Sequence, residues 1–357
     1  MQHQTCDVLV VGAGPAGLTA ATALARHGID VLVVERHAGT SPFPKATGVS
    51  TRTMELLRSW GLEQRVRAGA MHVRPGLVVS DTLTGTQRDG MEFGYPTDAQ
   101  ALAVSPTTPC YCPQDHLEPV LLTHLRARGG CVRFGTELAD WRTDGTGVQA
   151  ELRDRATGRL ERVQAQYLIG ADGPRSSVCS MLGLGADDLG TIGEFIAVTF
   201  RADPLRRDPA PAGDGLASDI GARYRSAVVE AGTGERASHA WVRRGGHRIS
   251  TLDLFDGRLT VLTGPRGGPW RRAVTEIAAN GLPIVALTVG RDLDDEDGAF
   301  ARHYRLGDAG AALVRPDGYL AWRRPGPGGD ARAALRSAVG LALGRAAEAP
   351  ALLRQAG

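Results

Sequence analysis

The sequence lacks the features that mark several large classes of protein. No apolar run approaches the roughly 18 residues that a membrane-spanning helix requires. Basic and acidic residues number 41 and 39, and this near balance predicts no partner among nucleic acids or anionic membranes. Lys45 is the only lysine. A patterned motif begins almost at the N-terminus and leaves no room for a signal peptide, so we expect a cytoplasmic protein.

The sequence also lacks the cysteine patterns of redox and metal-binding proteins. The five cysteines form no C-x-x-C pair, and no histidine stands at zinc-ligand spacing from them, which predicts no metal site. We interpret them as small buried side chains in a reducing compartment. No cysteine follows Cys179, so the C-terminal half cannot carry out disulfide exchange.

The length and one proline-rich stretch predict two domains. A chain of 357 residues is longer than one typical core requires. The stretch FRADPLRRDPAPAGDGLASDIG at 200–221 separates two regions of regular patterning. We place the first domain at 1–204 and the second at 217–350. The interval 205–216 is either a linker or the seam of an internal deletion, and the local composition fits both.

Local patterns predict a β-α-β unit at the N-terminus. Residues 7–11, DVLVV, predict a buried strand, and residues 29–34 predict a second one ending at Glu35. Between them, apolar residues recur at helical spacing until Gly28 ends the helix. The two strands are therefore expected to be parallel and joined by a right-handed crossover.

The rest of the chain alternates helical and extended patterns. In the first domain we predict helices at 51–60 and 115–128, strands at 72–80, 91–95 and 195–200, and a meander of three or four strands between 131 and 169. Asp115 is the predicted N-cap of its helix, with Glu118 three residues later. In the second domain we predict strands at 259–263 and 283–289, a hairpin of 311–315 and 319–322, and helices at 270–279, 299–304 and from Asp330.

The strongest chemical signal is the glycine motif between the first strand and the first helix. Gly12 permits a tight turn, Gly14 lets the backbone approach a pyrophosphate, and Gly17 lets helix and strand pack closely. The free N–H groups at the helix start then face the phosphates. Glu35 follows at about the spacing expected of an acid that binds a ribose diol. The motif predicts a bound dinucleotide, and by itself it leaves both NAD and FAD open.

Several collinear segments carry a family resemblance. VVGAGPAGL, VVERH, FPKATGVSTRTMELLRSWGL, CPQDHLEPVLLTHL and GADGPRSSV together resemble the FAD-dependent aromatic hydroxylases related to para-hydroxybenzoate hydroxylase. Within that family the sequence looks most like the hydroxylases of aromatic polyketides and chlorophenols. The resemblance covers residues 5 to about 203 and implies FAD as the cofactor.

The resemblance implies a cofactor-binding role for twelve residues. Glu35 would hold the adenosine ribose with Arg36 beside the adenine, and Leu138 would offer backbone to the adenine. Lys45 and Asp172-Gly173 would lie at the pyrophosphate, and Gln114 would reach the region between ribityl chain and pyrophosphate. The full set is Gly12, Gly14, Pro15, Ala16, Gly17, Glu35, Arg36, Lys45, Gln114, Leu138, Asp172 and Gly173.

Without the resemblance, some of these residues have ordinary interpretations. Lys45 is equally a solvated surface lysine, and Gln114 is equally a polar loop residue before a helix. An Asp-Gly pair after a strand, as at Asp172, is a common turn. Cys179 departs from the family pattern, in which arginine is usual. The sequence indicates no catalytic residue.

The second domain extends the resemblance. RYRSAVV, WVRRGGHRISTLDLFDGRLTVLTG and ALVRPDGYLAWR look like the thioredoxin-like C-terminal domain of the larger hydroxylases. Where a redox-active thioredoxin has C-x-x-C this chain has PRGGPW, so we expect a packing or dimer surface instead. The fold class is therefore α/β: a Rossmann-type FAD-binding domain with a mixed sheet and meander, and a thioredoxin-like α/β domain.

The implied activity is that of an oxidoreductase. The family members are flavoprotein monooxygenases that use NADPH or NADH as a transient reductant and hydroxylate a small phenol or polyketide. Strands in 76–104 would lie on the substrate side of the first domain. A homodimer fits the resemblance, and neither a membrane nor a nucleic acid does.

One part of the family pattern is missing. Relatives carry a cavity-forming sheet and a second flavin motif, Gly-Asp-Ala-x-His, after a strand like that at 195–200. The only near match, Gly307-Asp308, belongs to the second domain and lacks the histidine. This absence leaves a second hypothesis, an inactive flavin-binding or dimerising remnant. An NAD-dependent dehydrogenase is a third, disfavoured by the Asp172-Gly173 context and by the lack of a catalytic His or Tyr constellation.

Overall fold

The first domain is organised around one six-stranded sheet. The computed structural model describes residues 4–71, 76–80, 87–92, 94–143, 145–185, 233–326 and 329–344, with backbone alone for Gln4, 76–80 and 87–92. The strands of this sheet are β1 (Gln4–Val11), β2 (Val31–Glu35), β5 (Cys131–Phe134), β6 (Thr136–Thr143), β7 (Val148–Asp154) and β8 (Leu160–Gly170). Their order is β5-β2-β1-β8-β7-β6.

The sheet combines a parallel half with an antiparallel meander. β5, β2, β1 and β8 run parallel, whereas β7 is antiparallel to both β8 and β6. Helix α1 (Pro15–Arg26) is the crossover between β1 and β2, as the sequence predicts. The carboxyl ends of β1, β2 and β8 therefore meet at one edge of the sheet, which is where ligands bind in open α/β sheets.

Side chains of β1 alternate between two cores. Val8 and Val10 face the core shared with α1 and helix α5 (Gln114–Ala127), where Leu18 and Leu125 are fully buried. Leu9 and Val11 face the opposite core, formed with the meander. Burying one such aliphatic side chain stabilises the fold by about 1.5–3 kcal/mol. The two cores together fix the orientation of the loop that follows Val11.

Shorter elements lie between β2 and α5. They are helices α2 (Thr51–Ser59), α3 (Glu63–Arg67) and α4 (Asp98–Leu102), and the antiparallel strands β3 (Gly76–Ser80) and β4 (Gln87–Glu92). Ser50 caps α2 by accepting a hydrogen bond from the Thr53 backbone N–H. Helix α6 (Ser177–Met181) follows β8.

The second domain has a four-stranded sheet. Its strands β11 (Leu259–Thr263), β12 (Ile284–Thr288), β13 (Ala311–Val314) and β14 (Leu320–Arg324) have the order β12-β11-β13-β14. Only the β11–β12 pair is parallel. Every residue of β11 is buried, because apolar cores lie on both faces of the sheet.

The helices of the second domain cover this sheet. Helices α7 (Gly268–Ala278) and α9 (Ala331–Ala342) pack on one face, and α8 (Ala299–Tyr304) packs on the other with the hairpin of β9 (Trp241–Arg244) and β10 (His247–Ser250). A short 3-10 turn spans Thr251–Leu254. Asp330 caps α9 by accepting from the Arg332 backbone N–H at 2.8 Å. The described residues thus confirm a mixed α/β fold in both domains.

A buried charge cluster joins the two domains. We call Arg52, Glu55 and Arg236 the Glu55 cluster. The Glu55 carboxylate on α2 lies 3.0 Å from Arg52 Nη1 and 3.0 Å from Arg236 Nη1 of the second domain. Arg52 also donates to the Asp317 carbonyl, and Arg236 donates to the Val104 carbonyl at 3.0 Å.

Two sequence predictions about elements are wrong, and two others fall outside the described residues. Asp115 is not an N-cap, because the helix begins at Gln114 with Pro113 at its N-cap and Asp115 in its first turn. The strand predicted at 91–95 instead begins at Gln87 and ends at Glu92. The seam at 205–216 and the strand predicted at 195–200 lie outside the described residues. No helix in the described segments is long and apolar enough to cross a bilayer.

Candidate cofactor site

The glycine loop is built by close backbone packing at the end of β1. Gly12 has φ +105°, and a Cβ on it would lie 2.3 Å from the Ala171 carbonyl oxygen. A Cβ on Gly17 would lie 1.9 Å from the Gly12 carbonyl oxygen. Gly14 differs, since a Cβ there would meet nothing within 4 Å. Two glycines therefore shape the loop, and the third borders open space that a ligand can enter.

Helix α1 presents its N-terminus to that space. Gly14 is the N-cap and offers no side chain to bond the first turn, while Pro15 fills the first helical position, which needs no N–H. Ala16 follows and is exposed. The N-terminal end of an α-helix carries a partial positive charge and unpaired N–H groups, which favour an anion. The loop is therefore suited to a phosphate group.

Glu35 lies beside the loop, at the end of β2. Its Oε2 accepts a hydrogen bond from the Ala13 backbone N–H at 2.9 Å. Its Oε1 accepts from the His37 backbone N–H at 2.9 Å and from His37 Nδ1 at 2.5 Å. Burial raises the pKa of Glu35, but the hydrogen bonds from Ala13 and His37 outweigh it and the pKa is lowered. The carboxylate is thus charged and held against the glycine loop.

Asp172 and the glycine loop are brought together by β8. The Ala171 N–H donates to the Val11 carbonyl at 2.8 Å, so the residue before Asp172 touches the end of β1. The Asp172 carboxylate itself accepts from Ser176 Oγ at 2.6 Å, and from the backbone N–H and hydroxyl of Ser177 at 2.6 and 2.9 Å. Burial raises the pKa of Asp172, but these hydrogen bonds lower it overall.

The hydrogen-bond partners of Asp172 show that its carboxylate has a structural role at the start of α6. The carboxylate fixes the start of α6, and the exposed Gly173 at φ +85° forms the turn between β8 and that helix. A contact of this turn with a pyrophosphate stays a prediction, and it would come from the backbone, since the carboxylate has local partners.

The loop containing Lys45 reaches the start of α5. The Gln114 N–H donates to the Ala46 carbonyl at 2.7 Å, and the side chain of Lys45 is exposed. Gln114 Nε2 donates to Glu118 Oε1 at 2.6 Å, and Glu118 Oε2 accepts from the Ser41 N–H at 2.6 Å. Glu118 is 2% exposed and ties the loop to the helix. Sequence reasoning placed Glu118 only at a helix start and missed this role.

The two residues predicted at the adenine differ in exposure. Arg36 is exposed beyond the end of β2. The Leu138 side chain is 6% exposed and packs in the core with Leu9 and Leu32. The β6–β7 pairing shifts register between Leu138 and Asp140, which interrupts the regular ladder at this point. In the described part of the chain no group of histidine, cysteine or carboxylate side chains could hold a metal ion.

Family comparisons agree with this geometry. The family model described as FAD binding domain matches residues 5–217, and the model described as aromatic-ring hydroxylase, C-terminal, matches residues 230–346. The chain belongs to the FAD-dependent aromatic-ring monooxygenases. The mixed α/β architecture predicted from the sequence is confirmed by this match and by the structural comparison below.

Individual members of the family resemble the chain to different extents. A tetracenomycin A2 monooxygenase-dioxygenase of Streptomyces glaucescens is 27% identical over 98% of this chain and 99% of the relative. An aklavinone 12-hydroxylase of Streptomyces peucetius is 42% identical over 55% of this chain and 41% of the relative. A crystal structure of aklavinone-11 hydroxylase with FAD and aklavinone matches with a TM-score of 0.81 and 26% identity, over 97% of this chain and 100% of that one.

This monooxygenase chain is shorter than its relatives. The alignment with the S. glaucescens protein has 555 positions, whereas this chain has 357 residues. At least 198 positions of that alignment, the difference between the two numbers, therefore lie opposite gaps in this chain. The alignment reaches 98% of this chain and 99% of the relative, so these gaps lie between its two ends.

The contrast between Gly14 and Gly17 gives a matched pair of substitutions. Gly17→Ala should lower the free energy of unfolding by about 3 kcal/mol, because its methyl group overlaps the Gly12 carbonyl. Gly14→Ala should cost about 1 kcal/mol or less, the difference between glycine and alanine at an N-cap. Gly14→Ala should nevertheless weaken FAD binding more than about tenfold, since its methyl group enters the space for the phosphate.

Denaturant unfolding and flavin fluorescence titration separate the two effects. Equal loss of stability in both variants would contradict the open space at Gly14. Full FAD affinity in Gly14→Ala would place the pyrophosphate elsewhere.

Proposed function

We propose that this chain binds FAD through its adenosine and pyrophosphate moieties at the glycine loop. The observation that carries the proposal is the position of the Glu35 carboxylate beside an uncapped helix N-terminus. Gly12, Gly14, Pro15, Ala16 and Gly17 would hold the pyrophosphate, and Glu35 would hold the ribose. Arg36 and the Leu138 backbone would adjoin the adenine. Lys45, Gln114 and Asp172-Gly173 would border the remaining length of the cofactor.

The proposed activity is aromatic hydroxylation. Bound FAD would supply the redox chemistry, with NADPH or NADH as the reductant and molecular oxygen as the second substrate. The relatives named above are a tetracenomycin A2 monooxygenase-dioxygenase and aklavinone hydroxylases. By that similarity the substrate class is a polyketide or another phenol. A cytoplasmic location is part of the same proposal and rests on the cysteine usage, which has no C-x-x-C pair.

The missing segment limits what the chain itself can do. In a hydroxylase, the active site excludes water so that oxygen is transferred to the substrate rather than lost in side reactions. A cation or a helix N-terminus is also needed beside the flavin ring, because the reduced flavin is an anion. We place the missing positions at the seam, 205–216, and infer that this chain keeps the cofactor-binding half of the site and lacks the cavity. Turnover is therefore impaired.

The alignment gap also supports a second candidate, an inactive flavin-binding or dimerising remnant. NADPH oxidation that depends on bound FAD separates the two, since a remnant would bind the flavin without consuming the reductant.

The second domain has a structural role in this proposal. From β11 onward the order of elements is β-α-β, the short helix α8, a hairpin and a final helix, which supports the thioredoxin-like interpretation of 217–350. No cysteine lies in that interval. Its contribution is packing against α2 through the Glu55 cluster, with a homodimer surface as a further use.

Glu35→Ala tests the cofactor site. Hydrogen bonds to a charged group are worth about 1.5–3 kcal/mol, so this variant should bind FAD at least about tenfold more weakly. The measurement is the FAD dissociation constant from flavin fluorescence. Glu276→Ala is the matched control, because Glu276 is an exposed carboxylate that pairs with Arg332 in the second domain. An unchanged dissociation constant in Glu35→Ala would remove Glu35 from the site.

A further inference from the structure

Three donors already occupy the Glu35 carboxylate. The Ala13 N–H is bonded to Oε2, while the His37 N–H and His37 Nδ1 are both bonded to Oε1. An ionised carboxylate accepts only, at about four lone-pair positions on its two oxygens. Oε1 is therefore saturated, and one position is left on Oε2.

A ribose diol needs more acceptor positions than the one that is left on Glu35. Each of its two hydroxyls donates one hydrogen bond, so a diol that is fully bound by one carboxylate requires two free acceptor positions. Two of the three present donors are backbone N–H groups, fixed by the glycine loop and by the end of β2. The third is the imidazole of His37, whose side chain is 63% exposed. Only the imidazole can move away without disturbing the fold.

We propose that His37 sets the affinity and ribose selectivity of the site by competing with the cofactor's diol for Glu35. The imidazole contact holds the carboxylate in place before the cofactor arrives, and it must be displaced before the second ribose hydroxyl can bind. His37 is thus a positioning residue that acts through Glu35. This inference rests on the proposed function, since it concerns the same nucleotide site.

The test uses FAD, ADP and 2′-deoxy-ADP as probes. FAD binding is followed by flavin fluorescence at one fixed pH, and the two diphosphates are measured by displacement of FAD. Wild type should bind ADP and 2′-deoxy-ADP with similar affinity, because only one acceptor is free. His37→Ala should bind FAD and ADP about threefold to fivefold more tightly, as expected for a contact at an exposed pair. The same variant should show no gain for 2′-deoxy-ADP.

Two further variants serve as controls for the competition. His247→Ala is the matched control, because His247 is an exposed histidine that contacts the Gly245 carbonyl of the second domain. It should bind all three probes as wild type does. Combining His37→Ala with Glu35→Ala should abolish the gain, since the carboxylate being competed for is gone.

The outcomes separate this inference from the proposed function. If FAD and ADP bind but His37→Ala binds them no more tightly, the competition is overturned and the cofactor assignment stands. A wild type that strongly prefers ADP over 2′-deoxy-ADP overturns it in the same way. If neither FAD nor ADP binds wild type or His37→Ala, the proposed function fails and the role of His37 fails with it.

Discussion

NADPH oxidation by the FAD-loaded chain should produce hydrogen peroxide and no hydroxylated aromatic product. The chain keeps the glycine loop and Glu35, but at least 198 positions present in the S. glaucescens alignment have no counterpart here. We infer that these include the walls of the substrate cavity. Water then reaches the flavin ring, and reduced oxygen is released before it meets an aromatic substrate. The expected yield of peroxide per NADPH is close to stoichiometric.

The experiment compares peroxide with product over a panel of phenols and polyketide aglycones. Chromatography measures the hydroxylated product, and a peroxidase-coupled assay measures the peroxide. Glu35→Ala at limiting FAD should lower both NADPH oxidation and peroxide, which ties the reaction to this site. Stoichiometric hydroxylation of any compound would contradict the expectation. It would show that a complete cavity forms without the missing segment, and the stretch at 205–216 would then be a true linker.

Glu55→Ala should lower the free energy of unfolding by about 3–5 kcal/mol, the cost of breaking a buried ion pair. The Glu55 and Arg236 side chains are 2% and 7% exposed, and that of Arg52 is 17% exposed. Without the carboxylate, the buried Arg236 guanidinium and the half-buried Arg52 guanidinium lose the anion that they share. Burial lowers the pKa of Arg236, and Glu55 is the group that acts most strongly against that effect. The denaturant midpoint at constant m-value measures the loss.

Glu296→Ala is the matched control for this prediction. Glu296 pairs with Arg243 at 2.8 Å, but both side chains are largely exposed, at 64% and 44%. Exposed pairs contribute about 0–1 kcal/mol, so the control should unfold close to wild type. If Glu55→Ala lowers the free energy of unfolding no more than the control does, the Glu55 cluster does not hold the two domains together.

Sequence patterning predicted those elements whose signals are local. The strand Leu259–Thr263 is a short apolar run bounded by turn residues, and its predicted limits are confirmed. The start of the last helix near Asp330 is also predicted from local pattern, and the structure places Asp330 at its N-cap. The hairpin of β9 and β10 was missed, although Gly245 and Gly246 both have positive φ and Gly-Gly is a strong two-residue turn signal. The residues that flank the two glycines are mostly polar, so no clear alternation of apolar and polar residues marks the two strands.

The sequence predicts the parts of the candidate site that belong to one short motif. The glycine loop and the acid at the end of β2 follow from a short motif, and the structure brings them together. The roles of Glu118 and Asp172 depend on partners that sequence spacing does not reveal. Glu118 bonds Ser41, which is 77 residues away, and Asp172 bonds Ser176 and Ser177 of its own motif, where the resemblance implies a pyrophosphate contact. The competition at His37 becomes visible only when the donors on Glu35 are counted.

The Glu55 cluster also bears on how such a shortened chain can persist. Arg236 and Asp317 come from the second domain and contact α2 directly. The two domains are therefore attached through their own side chains as well as through the polypeptide that connects them. These side-chain contacts do not depend on the length of the connecting polypeptide, so the nucleotide half and its companion domain can stay together when that length changes.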